Sequence, residues 1–242
     1  MPQEVKRGFV PGDAREFGGK QLAQLQNAQQ DIVYLLDRGY EVEKAVTFVG
    51  NRFQFSARQR TALTRASASS ACAAQRRAKE AVGSLKGQTA FIDGFNLIIT
   101  LEAALSDTTL LFCVDGTVRD LCGLHGTYRL IDKTELALRL IAERLAELEI
   151  GKAMFYLDAP VSNSGRLSAQ IQQSVSGYGY PVAVEMAPNA DACLWDKPLV
   201  ITTDAIILNR CGGWVNLARQ ILHRKLPKRK PVNLSNGRSW PE

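Results

Sequence analysis

The sequence predicts an α/β protein: a mostly parallel sheet with helices on both faces, preceded by a small all-helical module. Three observations predict it. From Gly87 onward, apolar runs of strand length alternate with helical segments, the pattern of a parallel sheet covered on both sides. Up to Leu85, apolar residues recur instead at helical spacing. Finally, Asp93, Asp158 and Asp204 close predicted strands and Asp191 follows another after a short polar turn. In an open parallel sheet these carboxyl ends form the ligand crevice.

In chain order, residues 19–37 form an amphipathic helix, with Leu22, Leu25, Ile32, Leu35 and Leu36 on one face and Gly39 past its end. A shorter helix spans 41–49, stopped by Gly50. Ser56-Ala57-Arg58-Gln59 is a capping box opening one long helix through the alanine-rich stretch to Val82. Residues 83–87 read as a linker. Then come strands at 89–93, 110–114, 153–158, 181–186 and 199–202, with helices from Asn96, over 133–148, near 167–175 and over 214–222. The chain thus divides into a helix-turn-helix-like module (1–85), an α/β domain (88–223) and a basic tail (224–242) expected to be extended or disordered.

Of the 242 residues 45% are apolar, enough for a packed core. There is no run of 18 apolar residues and no apolar signal segment over Met1 to Gly12, so the expectation is a soluble, cytoplasmic protein that does not enter membranes. The five cysteines, odd in number and without a Cys-x-x-Cys pair, read as reduced packing residues rather than zinc ligands or disulfides. Charge is partitioned: residues 50–86 carry eight Lys/Arg against Glu80, and residues 219–242 seven against Glu242. The block between, 87–218, has nine basic and fifteen acidic residues. Basic flanks around an acidic centre suit a polyanion held by the flanks and acted on at the centre.

Carboxylates gathered at strand ends repel one another unless a cation neutralises them, and Mg²⁺ or Mn²⁺ prefers such oxygen ligands. Asp93-Gly94-Phe95-Asn96 is the sharpest signal: the acid ends a strand, the glycine allows a close turn, and Asn96 caps the next helix or offers its amide to a phosphate. Arg119, His125, Arg129 and Arg166 are candidate phosphate clamps, or residues of ordinary turns. Arg58, Arg60 and Arg65 are candidate nucleic-acid contacts, or the solvated face of a packed helix. There is no nucleophile elbow and no nucleotide-binding P-loop, which disfavours serine-triad and ATP- or GTP-hydrolysing chemistry.

The Phe91 to Ile98 segment, Leu157-Asp158, Asn189-Ala190-Asp191 and Thr202-Thr203-Asp204 together resemble the PIN/NYN nuclease superfamily. Leu35-Leu36-Asp37-Arg38-Gly39-Tyr40, Phe48 to Phe53 and Arg58 to Leu63 resemble the domain-of-unknown-function 434 family, whose members pair that helical module with a PIN-like domain of the 5616 type. Asp158 to Leu167 and His125 to Arg129 are similar to that second group. The resemblance implies metal binding by Asp93, Asp191 and Asp204, with Asp158 beside them. It also makes Glu135 a candidate ligand on an intervening helix, although Asp132-Lys133-Thr134-Glu135 reads first as a capping-box-like helix start. The expected function is metal-dependent hydrolysis of phosphodiester bonds, in RNA rather than DNA. The alternatives are a non-catalytic nucleic-acid-binding or regulatory protein, and a small-molecule phosphatase.

Overall fold

Alternation within the apolar runs decides how the sheet is covered. The computed structural model describes residues 5–123 and 126–240. Five helices come first: α1 (Asp13–Glu16), α2 (Gly19–Leu36), α3 (Val42–Arg52), α4 (Ala57–Ala66) and α5 (Ser70–Ala78). They are followed by β1 (Thr89–Asp93), α6 (Gly94–Leu105), β2 (Leu110–Cys113), β3 (Val118–Asp120), α7 (Asp132–Glu147) and β4 (Lys152–Asp158). Next are α8 (Ser164–Val175), β5 (Val182–Ala187), α9 (Ala190–Leu194) and β6 (Val200–Ile201). The last elements are α10 (Ala205–Arg210), α11 (Leu217–Lys225) and β7 (Val232–Leu234).

The main sheet has the order β5-β4-β1-β6, with every pair parallel. Side chains of a strand point alternately to opposite faces. Ala90, Ile92, Ala153, Phe155, Leu157 and Ile201 accordingly pack into one core with α6, α7, α8 and α11. Phe91, Met154, Tyr156 and Val200 face the other way, onto α9, α10 and the fully buried Trp214. Both faces are covered, as the alternating pattern predicts. Among the described residues no helix is long and apolar enough to cross a membrane.

Three expectations are corrected. The predicted strand at 110–114 lies outside the main sheet: β2 pairs antiparallel with β3 and parallel with β7 in a second, three-stranded sheet. The basic tail therefore contains an ordered strand, and Leu234 is fully buried. Leu111, Cys113 and Leu234 share one core with Leu25, Ile32, Val49 and Leu63 of the N-terminal helices. The Gln29 amide also donates to the Leu234 carbonyl, and Asn236 N donates to Gln29 Oε1 at 2.9 Å. The tail closes over the helical module.

The third correction concerns the long helix. Ser56 forms the expected capping box with Gln59, but the helix stops at Ala66 and restarts at Ser70. At the break the Ala66 carbonyl accepts from Val114 N at 3.1 Å and the Arg65 carbonyl from the Arg119 guanidinium at 2.5 Å. Ser69 then caps α5, accepting from Cys72 N at 3.2 Å. Carbonyls that would have continued the helix are taken by tertiary partners.

Candidate functional site

Strand order brings the acidic residues together. Because β1 lies between β4 and β6, the carboxyl ends that carry Asp93, Asp158 and Asp204 are neighbours. Asp93 ends β1 and caps α6, its Oδ1 accepting from Asn96 N at 3.4 Å and its Oδ2 from the Thr202 hydroxyl at 2.8 Å. Gly94 is required at this turn, since a Cβ there would meet Leu157 Cδ2 at 2.6 Å and the Tyr156 carbonyl at 3.0 Å. Asn96 is not the cap. Its Oδ1 instead accepts from Thr203 N at 2.8 Å and from the Thr203 hydroxyl at 3.0 Å, fastening α6 to the loop after β6.

Asp204 caps α10, Oδ1 accepting from Ile206 N at 2.7 Å and Ile207 N at 3.1 Å. Asp158 Oδ1 accepts from Ala190 N at 2.9 Å and so holds the start of α9, the helix that carries Asp191. Asp93, Asn96, Asp158, Asp191 and Asp204 all line one cleft of about 890 Å³. Burial pushes the Asp93 carboxyl up to about 7; the Thr202 hydrogen bond opposes the shift, and the charges of Asp191 and Asp204 add to it. Asp191 is raised by its own burial and then by Asp204 and Asp158. The carboxylates feel one another across the cleft.

No three His, Cys, Asp or Glu side chains among the described residues close into a ready metal cage. The cleft is an open array of hard oxygen donors, with Asp93 kept from easy ionisation first by its burial and then by the charges of Asp191 and Asp204. That suits Mg²⁺, which commonly retains several waters and takes only one or two protein carboxylates.

The candidate arginines behave differently. Arg58 is locked bidentate onto Asp13, Nε to Oδ1 at 2.5 Å and an Nη to Oδ2 at 2.7 Å. Arg60 donates to the carbonyls of Phe55 at 2.9 Å and Thr47 at 3.2 Å. Arg65 lines the cleft but donates to the carbonyls of Asp120 at 2.6 Å and Cys122 at 2.8 Å. Arg119 is buried, donating to Asp115 Oδ2 at 2.6 Å and to the Thr203 carbonyl at 2.7 Å. These guanidinium groups, expected as phosphate contacts, each donate to protein oxygens. Arg166 and Glu135 lie apart from the carboxylates, in a groove between α7 and α8 that Arg139 also lines. Arg129 is exposed and outside the cleft lining. His125 lies outside the described residues.

Other site residues escaped the sequence reading. Asp115 binds both Arg76, at 2.8 Å, and Arg119, and this buried triad supports the loop before Asp204 from behind. Burial by itself would raise Asp115, but Arg119, Thr117 and Arg76 outweigh it and hold the carboxyl well below the usual range. Thr202 fastens the loop after β6 to Asp93 of β1 and Thr203 fastens it to Asn96 of α6, and their signal is the Thr-Thr-Asp run itself. Asp115-Gly116 has the local signature of a turn, and nothing local marks the partner Arg76, 39 positions away.

A parallel sheet whose adjacent strand ends hold aspartates around one crevice defines an α/β protein with an acidic site of the strand-end type. Residues 82–220 match the family model described as Domain of unknown function (DUF5616), and residues 24–79 match that of Protein of unknown function (DUF434). The chain belongs to the first family, with the second model covering its N-terminal helices. It is 32% identical over 185 residues to Uncharacterized protein MJ0935 of Methanocaldococcus jannaschii, covering 76% of this chain and 88% of that protein. No solved structure matches the chain significantly.

Proposed function

We propose that the protein is a metal-dependent nuclease hydrolysing phosphodiester bonds, with RNA as the substrate class. The observation that carries this reading is the single cleft lined by Asp93, Asp158, Asp191 and Asp204, in which Asp93 is pushed up to about 7 by burial and by uncompensated neighbours. A carboxylate so destabilised is a group whose ionisation a bound cation would restore. Asp93, Asp191 and Asp204 would hold Mg²⁺ or Mn²⁺, one or two of them directly and the rest through its retained waters, and the ion when bound supplies charge neutralisation on a phosphate and a more acidic water. Asp158 borders the same position and fixes α9. Asn96 and Thr202 keep the ends of β1 and β6 in register, so the donors stay pre-arranged. RNA is favoured over DNA because the PIN/NYN proteins that these strand-end motifs resemble act mostly on RNA.

The test is degradation of a mixed panel of single-stranded and structured RNAs in Mn²⁺, Mg²⁺ or chelator, wild type beside Asp93→Asn. The substitution keeps side-chain size and removes one charge from the metal-binding set, so cleavage should fall by orders of magnitude while binding holds or strengthens. Activity that survives both chelator and the substitution would exclude this site. Binding without cleavage by the wild type would favour the non-catalytic alternative.

A further inference from the structure

The cleft holds more than carboxylates. Among the described residues, Tyr40 and Ile206 are the only exposed large hydrophobic side chains that line it, 57% and 54% exposed. Ile206 sits two positions after Asp204, on the first turn of α10. Tyr40 approaches from the helical module, presented by the turn that ends α2. Gly39 adopts φ +85° there, Gly39 N donates to the Leu36 carbonyl at 3.0 Å, and Tyr40 N donates to the Leu35 carbonyl at 3.2 Å. Its backbone is held while its ring is left open.

Chemistry differs along the cleft. Beside Tyr40 in the chain it is lined by Leu36, Val42 and Glu43, which offer a phosphate no cation and suit an uncharged flat surface. Its arginines, Arg65, Arg76 and Arg119, donate to protein oxygens, and the cleft also carries the aspartates, where a cation would attract phosphate. We infer that the cleft takes an unpaired nucleotide, its base stacked on Tyr40 and flanked by Ile206, with the adjoining phosphate at the carboxylates. The substrate class is then single-stranded RNA, because a base inside a duplex has both faces covered and cannot stack on a protein ring. This inference rests on the nuclease reading for the position of the phosphate, and on Tyr40 and Ile206 for that of the base.

The experiment measures fluorescence anisotropy of a labelled oligoadenylate, free and paired with oligouridylate, in Mg²⁺, and follows cleavage of the same strands on gels. Wild type is expected to prefer the free strand, and Tyr40→Ala to weaken that binding on the order of 5- to 100-fold, the range for loss of one stacked base. Tyr40→Phe, which keeps the ring, should restore it. Single-strand binding that is indifferent to Tyr40→Ala, equal affinity for the duplex, or no binding at all overturns the inference. Tyr40-dependent binding without cleavage would uphold it and remove the nuclease reading. Cleavage indifferent to Tyr40 would do the reverse.

Discussion

Asp93 ends a buried strand and shares its cleft with Asp191 and Asp204, and its carboxyl is pushed up to about 7. An acid whose folded-state pKa lies above its unfolded value of 3.8 keeps a proton that the unfolded chain has lost. Its contribution to stability is therefore greatest at low pH, declines as pH rises through the interval from about 4 to about 7, and is constant above it. In chelator, the unfolding free energy should fall across that interval by on the order of 1–4 kcal/mol through this group. Asp93→Asn should remove that part of the slope in urea melts taken between pH 4 and pH 8. Identical slopes for wild type and variant would mean that the carboxyl is ionised throughout. A cation held by the proposed site should stabilise the protein at neutral pH, raising the unfolding midpoint over that in chelator, since binding to the folded state alone does so.

At the scale of elements, the junction of α5, β3 and the loop after β6 is held by Arg76, Asp115 and Arg119. All three are buried, and Asp115 Oδ2 accepts from both arginines. A buried charged group whose partner is removed is left uncompensated, at a cost of about 3–5 kcal/mol. Asp115→Asn should accordingly destabilise the protein by that order in equilibrium unfolding, and a change below about 0.5 kcal/mol would show that water reaches the arginines. Because the Asp115 carboxyl is held below its ordinary value, its contribution is present at neutral pH and lost as pH falls below about 4, opposite in sign to Asp93. Arg119 also donates to the Thr203 carbonyl, so the triad joins the helical module to the turn that presents Asp204.

For the molecule as a whole, the C-terminal strand matters most. β7 pairs with β2 and delivers Leu234 into the core built by the N-terminal helices, so the two ends of the chain stabilise each other. Leu234→Ala should cost about 2–5 kcal/mol, as for other fully buried leucines. It should lower the urea midpoint of the entire transition without splitting it, because α2 and β2 lose packing together. An unchanged midpoint would show that the tail is dispensable to the core.

Much of this was written locally. The helical start, the change to strand-length apolar runs at Gly87, the capping box at Ser56 and the aspartates that close or closely follow strands come from spacing and turn chemistry, which depend on near neighbours in sequence. What stayed hidden depends on partners far along the chain. The break after Ala66 is caused by Val114 and Arg119. The basic tail reads as solvated until β2 offers it an edge, and the bidentate pairing of Arg58 with Asp13, 45 positions away, has no local signal. The sequence by itself determined the helical start, the strands of the main sheet and the identity of the carboxylates, because periodicity and side-chain identity are local properties. Only the tertiary structure decided which protein oxygens the arginines bind, which sheet each strand joins and that Tyr40 lines the cleft of the aspartates, because pairing and burial are settled by whichever distant group arrives.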